Sequence, residues 1–480
     1  MGDAAWDYDT FRVGFPADVE REFGAAYGEE GWSRIKHALA TPPTYTAVRV
    51  NTLRLQPDEA VRSLEESLAE FNRHLVEETG RPPVTPTLHK LLPDVAVIPS
   101  APPLGTVVYR DDLKSIIVDR LCGEAVLRGS DIFARGVMSA SSGLNAGDRV
   151  NVFVDLDHAQ TRGSSFDDHK ARKLFIAQGT TLMSRTELFR AQRGLAITSI
   201  VRVCSDAPPM NGMLSGSIYV QNLPSTVVAH VLDPQPGETI IDMCSAPGGK
   251  ASHVATLMKN KGLLVSCDHS KRKALELQKL FTQLELDCVV PLKMDTTHSV
   301  LPRSDAPSLS VAEVLTQAKA AKPKDAHLLP VKGFYPETFD KVLLDPPCSA
   351  LGLRPRLLHA EDDKELAKYA STQRNFLWAA VFLLKPGGTL VYSTCTINPK
   401  ENEQMVKYAL DNYPLELVPQ SVHIGDTGLL NQGLTPEEAA LVQRFDPSNR
   451  ELDTMGFFCA KFVKTRSIRD PTPEAASTTE

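Results

Sequence analysis

The pattern that most limits the fold of this chain is an alternation of short apolar strands and amphipathic helices between residues 206 and 463. The strand-like runs are TIIDM, LLVSCD, VVPLKMD, KVLLD, TLVYST and FFCAKFV, and helical runs such as KASHVATLMKN and SKRKALELQKLFTQL lie between them. Strands that alternate with helices of this length form parallel, doubly wound α/β sheets. Because such sheets bind ligands at the carboxyl ends of their strands, we expect a site where these runs end.

Composition divides the 480 residues into four parts, as expected for a chain too long for one core. Residues 1–109 mix helical and strand-like patterns. Residues 110–205, which include GEAVLRGSDIFARG and RVNVFVDLD, have short β-like runs with glycine turns and predict a small barrel. Residues 206–465 form the α/β region, with a surface insertion predicted near 301–330. Residues 466–480 predict a disordered tail.

Several classes of protein are disfavoured by the sequence. It has no apolar run long enough for a membrane span, and its acidic N-terminus lacks the apolar stretch of a secretory signal. Its eight cysteines are scattered, which indicates reduced thiols in a cytosolic or nuclear compartment, and we expect a cytoplasmic protein. The histidines lack metal-ligand spacing, so we expect no metal. The net charge of −7 does not exclude a nucleic-acid partner, since one region can carry a local basic face.

Two neighbouring segments indicate a nucleoside cofactor. In TIIDMCSAPGGK a strand ends at Asp242, a glycine-containing loop follows, and a helix begins near Lys250. The free N–H groups of a helix start favour an anionic group. Asp268 ends the next strand, where an acid accepts hydrogen bonds from ribose hydroxyls, and Asp295 follows the third strand, within reach of an adenine amino group. Each aspartate alone is more commonly a helix N-cap, but three successive strands ending in aspartate favour an adenosine-containing cofactor.

Two thiols follow the next two strands. Cys348 stands in DPPCS, after Asp345, and Cys395 stands in STCT. A lone cysteine is usually a small buried hydrophobe, but two at neighbouring strand ends beside a cofactor loop favour nucleophilic chemistry. Cytosine chemistry is one use for such a thiol, because carbon 5 of cytosine becomes nucleophilic only after a thiolate adds at carbon 6. The reaction also needs an acid near ring nitrogen 3, for which Asp345 is suitably located, and a base for the carbon 5 proton, for which Cys348 is suitably located.

In this order CSAPGGK, DPPCS and STCT resemble the Sun/Nop-type (RsmB-like) RNA cytosine-5 methyltransferases. The resemblance implies a Rossmann-like sheet, S-adenosylmethionine as cofactor, Cys395 as the nucleophile and Cys348 as an aid to product release, with Lys250 orienting the reacting groups. It implies that the cofactor is bound by Cys244, Ser245, Ala246, Pro247, Gly248, Gly249, Lys250, Asp268, Asp295 and Asp345. DPPCSA replaces the family's DAPCSG but keeps the acid and the thiol. The segment RVN, Arg49 to Asn51, resembles the family's N-terminal RNA-side segment.

The middle region resembles a PUA domain, a small pseudo-barrel that binds structured RNA. A PUA domain upstream of a Sun-type core is typical of the sixth Nsun-type branch, which modifies cytosine near the 3′ end of certain tRNAs. The segment DLDHAQTRGSS has one basic residue where that branch has a lysine-rich turn, which puts the RNA contacts of this loop in question. We predict stacking at Phe133 or Phe166, and phosphate contacts from the basic residues of this region: Arg120, Arg128, Arg135, Arg162, Lys170, Arg172 and Lys173.

The sequence therefore predicts a monomeric enzyme that forms 5-methylcytosine in tRNA, with mRNA as a further RNA partner. Two alternatives remain open. One is a catalytically silent RNA-binding scaffold. The other is a DNA cytosine-5 enzyme, in which the Pro-Cys thiol would be the nucleophile and the PUA-like region would lack an obvious purpose.

Overall fold

The computed structural model describes residues 11–101, 107–168, 172–204, 206–208, 210, 212–302, 309–320 and 328–468, which build three β-sheets. The N-terminal region contains α1 (Ala17–Tyr27), α2 (Glu29–Ala40), β1 (Tyr45–Val50), α3 (Pro57–Ser67), α4 (Ala69–Thr79), β2 (Thr87–Leu88) and β3 (Val95–Pro99). The second region contains β4 (Lys114–Val118), α5 (Arg120–Leu127), β5 (Ile132–Phe133), β6 (Val137–Ala140), β7 (Arg149–Asp155), β8 (Ser164–Ser165), β9 (Lys173–Thr181), α6 (Arg185–Arg190) and β10 (Leu195–Arg202).

The third region begins with β11 (Ile218–Val220), α7 (Leu223–Leu232), β12 (Thr239–Asp242), α8 (Gly249–Leu257), β13 (Leu263–Asp268), α9 (Lys271–Gln283), β14 (Val289–Lys293), α10 (Val311–Ala320) and β15 (Phe339–Leu344). It continues with α11 (Asp363–Leu383), β16 (Leu384–Thr394), α12 (Glu403–Asn412), β17 (Leu415–Leu417), α13 (Pro436–Ala440), β18 (Gln443–Phe445) and β19 (Phe457–Lys464).

The third region is the doubly wound Rossmann-like sheet that the strand and helix alternation predicts. Its strands follow the order β14-β13-β12-β15-β16-β19-β17, and β18 also pairs with β19. The faces of the sheet alternate along each strand: Ile240 packs with α7, α8 and α9, whereas Ile241 packs with α10, α11 and α12. The parallel pairing expected for these strands does not extend to the last one. FFCAKFV is antiparallel to β16, and its apolar run reads the same in either direction.

The second region forms one seven-stranded mixed sheet, in the order β5-β10-β9-β7-β4-β6-β8, over a core of aliphatic side chains. One prediction fails locally, because GEAVL, the start of the run predicted as β-like, lies in α5. The side chain of Asp119 caps this helix by accepting from the Cys122 N–H at 2.8 Å. Helical spacing then buries Gly123, Glu124, Val126 and Leu127.

The N-terminal sheet has the order β11-β1-β3-β2, with all three pairs antiparallel. Its edge strand β11 lies beyond residue 206, where we expect the α/β region to begin. A three-residue strand carries too little pattern to reveal a partner 172 residues away, since Val48 pairs with Val220.

The segment near 301–330 is described only in part. Helix α10 is not purely superficial, because Val311 and Leu315 are buried against the sheet. The predicted disordered tail lies outside the described residues from 469 onward. Among the helices of the described segments, none has both the length and the apolar character that crossing a bilayer requires.

Candidate active site

The predicted site residues converge because neighbouring parallel strands end at the same edge of the sheet. Asp242 and Asp268 are the last residues of β12 and β13, and Asp345 and Cys395 directly follow β15 and β16. The parallel pairings of β12 with β13 and β15, and of β15 with β16, bring these ends side by side. This edge of the sheet is where ligands bind in open α/β folds.

The two thiols of the site are in direct contact. Cys348 Sγ and Cys395 Sγ lie 3.3 Å apart, and both side chains are half-buried. The contact with the Cys348 thiol lowers the pKa of Cys395 below its usual range, and Lys250 contributes in the same direction. The same contact and burial raise the pKa of Cys348. The pair is therefore polarised toward a thiolate at Cys395 and a protonated Cys348.

Asp345 is held from two sides. The Lys250 ammonium donates to Asp345 Oδ2 at 2.8 Å, and the Ser393 hydroxyl donates to Oδ1 at 2.8 Å. Burial lowers the pKa of Lys250, but the neighbouring Asp345 carboxylate outweighs it, so the pKa is raised. Lys250 also lies over the Phe457 ring, with Nζ 5.4 Å from its centroid. A fixed cation and carboxylate thus lie beside the thiols.

The loop between β12 and α8 is hydrogen-bonded to β13 and has a glycine where it passes closest to α9. The Ser245 N–H donates to the Cys267 carbonyl at 2.8 Å, and Ser266 Oγ donates to Ser245 Oγ at 2.6 Å, which ties the loop to β13. Gly248 has a φ of +103°, and a Cβ there would lie 2.7 Å from a methyl of Leu280. The loop therefore passes close to α9 and leaves the strand ends open.

A cavity of about 510 Å³ opens at this edge and collects most of the predicted residues. It is lined by Cys244, Ala246, Asp268, Asp295, Asp345, Cys348 and Cys395, all of them sequence predictions. The other loop residues support it: Ser245 is bonded to β13, Lys250 holds Asp345, and Pro247, Gly248 and Gly249 complete the turn into α8.

Twelve further lining residues were missed by the sequence analysis. They are Met243, His269, Lys273, Met294, Thr296, Thr297, Pro346, Pro347, Ala350, Thr372, Asn375 and Phe376. Most are sequence neighbours of predicted residues. Thr372, Asn375 and Phe376 come from α11, and their spacing of three and four residues puts them on one helix face. That spacing was the available signal, but a helix of 21 residues has several such faces.

The acids at the cavity also serve local structure. Asp295 caps the short helical turn at 296–298, accepting from the Thr297 N–H at 3.1 Å and hydroxyl at 2.6 Å. Burial raises the pKa of Asp295, but these hydrogen bonds outweigh it and the pKa is lowered. The N-cap alternative therefore holds for Asp295, although its carboxylate still faces the cavity. Asp268 accepts from the Ser270 N–H at 2.8 Å and has Lys273 Nζ at 3.8 Å.

The predicted RNA contacts separate into exposed and internally committed residues. Arg128 and Arg135 are exposed, as is Phe133. Arg162 is half-buried, and its Nη2 donates to the carbonyls of Ala134, Leu188 and Ala191, which converge on it. This geometry favours a structural role over the predicted phosphate contact.

The remaining basic candidates already have partners or lie outside the residues that the structure describes. Arg120 donates to Glu124 at 2.8 Å, and Arg172 pairs with Asp157 at 2.6 Å. The Lys173 ammonium lies 4.6 Å from the centroid of Phe166, whose ring also packs on Phe153. Lys170 lies outside the described residues.

The RVN segment is internal rather than an RNA-facing surface. Arg49 is 2% exposed, donating to Ser252 Oγ of α8 at 2.8 Å and to Gln221 Oε1 at 3.1 Å. Asn51 donates to the Gly216 carbonyl at 3.0 Å. The segment therefore links the N-terminal sheet to α8, the helix that follows the loop after β12.

Asp94 forms a second link between these regions that sequence spacing could not reveal. It accepts from His230 Nε2 at 2.8 Å and from His253 Nε2 at 2.7 Å. This is the one group of three possible metal ligands among the described residues, with all three atoms within 4.8 Å. Burial lowers the pKa of His253 to about 4. Both imidazoles place an Nε2 at hydrogen-bond distance from the carboxylate, so Asp94, just before β3, bridges to α7 and α8. Within the described part of the chain, the buried Nδ1 of His253 has no hydrogen-bond partner.

Comparisons with known proteins agree with this architecture. The family described as 16S rRNA methyltransferase RsmB/F matches residues 229–463, and the PUA domain family matches residues 114–201. The crystal structure of NSun6 from Pyrococcus horikoshii with SFG is 28% identical, has a TM-score of 0.73, and is covered over 100% of its length by 96% of this chain.

Curated relatives match across nearly the full length. The tRNA (cytosine(72)-C(5))-methyltransferase NSUN6 of Mus musculus is 37% identical over 90% of this chain and 89% of its own. The rRNA (cytosine-C(5))-methyltransferase NOP2C of Arabidopsis thaliana is 35% identical over 93% of this chain and 90% of its own. Matches of this identity and coverage establish the family, and this chain belongs to the RNA (cytosine-C5)-methyltransferases with a PUA domain.

Proposed function

We propose that this protein forms 5-methylcytosine in tRNA, near its 3′ end, through a covalent bond between Cys395 and the cytosine. The observation that carries the proposal is the pair of thiols in contact at 3.3 Å, in one cavity with the strand-end acids Asp268, Asp295 and Asp345. A nucleoside site and a polarised thiol pair in one cavity match the needs of a methyl transfer to carbon 5.

The cavity residues fit S-adenosylmethionine, which supplies an electrophilic methyl group. Asp268, at the end of the second strand, suits the two ribose hydroxyls, and Asp295 suits an adenine amino group. Met243, Met294 and Phe376 provide apolar walls for a purine. The loop from Cys244 to Lys250 leads into the N-terminus of α8, which favours the carboxylate end of the cofactor.

Cys395 is the group that attacks carbon 6 of the cytosine. Its lowered pKa increases the thiolate fraction near neutral pH. As the C6–S bond forms, electron density moves to carbon 5 and to ring nitrogen 3. Lys250 Nζ donates a hydrogen bond to Asp345 Oδ2 over 2.8 Å, and a proton of this pair can neutralise the charge at nitrogen 3. The same pair orients the ring.

Cys348 acts at the end of the reaction. After methyl transfer, carbon 5 carries both the methyl group and a proton. The Cys348 thiol first loses its proton to water. Because the pKa of Cys348 is raised, the resulting thiolate is a strong base that can remove the proton from carbon 5. The released electron pair restores the C5–C6 double bond, the C6–S bond breaks, and Cys395 leaves as a thiolate.

The PUA domain supports an RNA with an accessible end as substrate. Arg128, Arg135 and Phe133 are exposed there and form the surface we assign to RNA. The mouse relative, which is named for cytosine 72 of tRNA, favours tRNA as the substrate of this chain. The mRNA expected from the sequence analysis is a further candidate substrate. The Arabidopsis relative, named for rRNA, gives rRNA as the second candidate. We further infer a cytoplasmic monomer, which light scattering and imaging of a tagged chain would test.

The test is methylation of bulk tRNA, mRNA and rRNA with labelled S-adenosylmethionine, followed by nucleoside mass spectrometry. We expect 5-methylcytidine in tRNA, lost in Cys395→Ala while cofactor binding by calorimetry persists. If 5-methylcytidine appears in rRNA alone, rRNA replaces tRNA as the assigned substrate. If the Cys395→Ala protein still forms product, the assignment of Cys395 as the nucleophile is refuted. Cofactor binding without methylation of any RNA would favour the silent scaffold.

A further inference from the structure

A fully buried carboxylate, Glu401, lies behind the two thiols and has four hydrogen-bond donors. Its Oε1 accepts from the Ser349 hydroxyl at 2.5 Å and from Asn398 Nδ2 at 2.9 Å. Its Oε2 accepts from the Ser349 N–H at 3.0 Å and from Gln373 Nε2 at 2.8 Å. Glu401 itself is 0% exposed. A carboxylate this deeply buried is stable only with such complete hydrogen bonding.

The donors come from both sides of Cys348. Ser349, the next residue, donates to Glu401 twice. Gln373 donates to Glu401 and also to the carbonyl of Pro347, the preceding residue, at 3.0 Å. The Tyr392 hydroxyl holds Gln373 in turn, donating to its Oε1 at 3.0 Å. Cys348 is thus held between two neighbours that both depend on this carboxylate.

The two thiols depend on this network to different degrees. Cys348 lies four residues beyond the end of β15, in a loop, whereas Cys395 directly follows β16. Strand β16 is fixed by pairing with β15 up to Tyr392 and with β19 up to Thr394, next to Cys395. Asn398 and a contact of 2.8 Å between Ser349 Oγ and Thr396 Oγ1 join the two loops at the network. Loss of Glu401 would therefore displace Cys348 more than Cys395.

The charges near the two thiols also distinguish Cys348 from Cys395. The Glu401 carboxylate is one of the groups that raise the pKa of Cys348, after the Cys395 contact and burial. Lys250 acts on Cys395 in the opposite sense. The anion behind one thiol and the cation beside the other keep the thiolate on Cys395.

We propose that Glu401 is a positioning residue for product release: its carboxylate fixes the Cys348 loop against Cys395. This inference rests on the proposed function. Without Glu401, the attack by Cys395 and the methyl transfer still proceed, but removal of the carbon 5 proton slows. The methylated RNA then stays covalently bound to Cys395.

The test is Glu401→Gln, which keeps the size but turns two acceptor positions into donors that face donors. We expect multiple-turnover methylation to fall by about tenfold or more, while the first turnover changes by less than about threefold. A denaturing gel should show a protein–RNA adduct, as expected for Cys348→Ala. Ser349→Ala removes one donor and leaves the buried acid in place, so it tests the same claim if Glu401→Gln does not fold.

The matched control is Glu337→Gln, which disturbs a different, partly buried carboxylate. Glu337 pairs with the buried Lys464 at 3.0 Å and precedes β15, at the opposite edge of the sheet from the thiols. We expect this variant to lose thermal stability without accumulating an adduct. If Glu401→Gln and Ser349→Ala accumulate none while Cys348→Ala does, the inference is wrong. If Cys348→Ala also forms none, it is the proposed covalent mechanism that fails.

Discussion

The carboxyl group of Asp242 gives a quantitative test of how the sheet edge is built. Asp242 is 2% exposed, and burial raises its pKa to about 7 from an ordinary value of 3.8. Because one pKa unit corresponds to about 1.4 kcal/mol, ionising this group in the folded protein costs about 4 kcal/mol more than in the unfolded chain. The folded state binds more protons between pH 4 and 7, so this contribution to stability is lost as the pH rises through 7.

The variant Asp242→Asn removes this cost while keeping an oxygen that accepts from the Cys244 N–H, a bond of 3.3 Å in the native protein. We expect the variant to be more stable than the native protein at pH 8. At pH 5 the native carboxyl is largely protonated, so the gain should be smaller there by about 3 kcal/mol.

The assay is urea unfolding at pH 5 and pH 8, followed by tryptophan fluorescence, since Trp378 of α11 packs on the sheet. The exposed Asp287→Asn is the control, and its effect should stay within about 0.5 kcal/mol at both pH values. An Asp242→Asn effect that is the same at pH 5 and pH 8 would refute the reasoning. Such a result would mean that the carboxylate is solvated or fully paired in the folded protein.

Two further predictions concern charge at the thiols and on the RNA-binding region. Lys250→Met removes a cation that lowers the pKa of Cys395, so single-turnover methylation should fall at pH 7 and partly recover toward pH 9, whereas a pH-independent loss would contradict this role. Arg162→Ala should lower the melting temperature without changing the salt dependence of RNA binding, because Arg162 donates to internal carbonyls; Arg135→Ala should do the reverse, reducing the slope of log affinity against log salt by about 1. Equal effects of the two arginines in filter binding and thermal melting would refute the distinction.

The sequence predicted the parts of the site that depend on local pattern. Asp242, Asp268, Asp345 and Cys395 each end or follow an apolar run, and parallel pairing brings such ends together. The strand and helix alternation was enough to predict the Rossmann-like sheet. The direction of β19 was not predictable in this way, because it depends on the connection through β17 and β18 rather than on the composition of the strand.

Interactions between distant residues could not be predicted from one sequence. Asp94 meets histidines 136 and 159 residues away, and the fate of Arg162 depends on three carbonyls that the fold brings together. Glu401 lies five residues after the STCT motif, but its four donors come from three separate parts of the chain. A charged residue that reads as surface in the sequence becomes internal when the fold supplies enough partners.

The covalent intermediate is the central claim, and one measurement tests it most directly. Cys348→Ala protein is incubated with tRNA and S-adenosylmethionine and run on a denaturing gel, beside Cys395→Ala and the double variant. We expect a band shifted by the mass of a tRNA in the Cys348→Ala protein and no such band in the Cys395→Ala protein or the double variant. An adduct in Cys395→Ala instead would exchange the roles of the two thiols, as in the DNA-type mechanism, and would contradict the account.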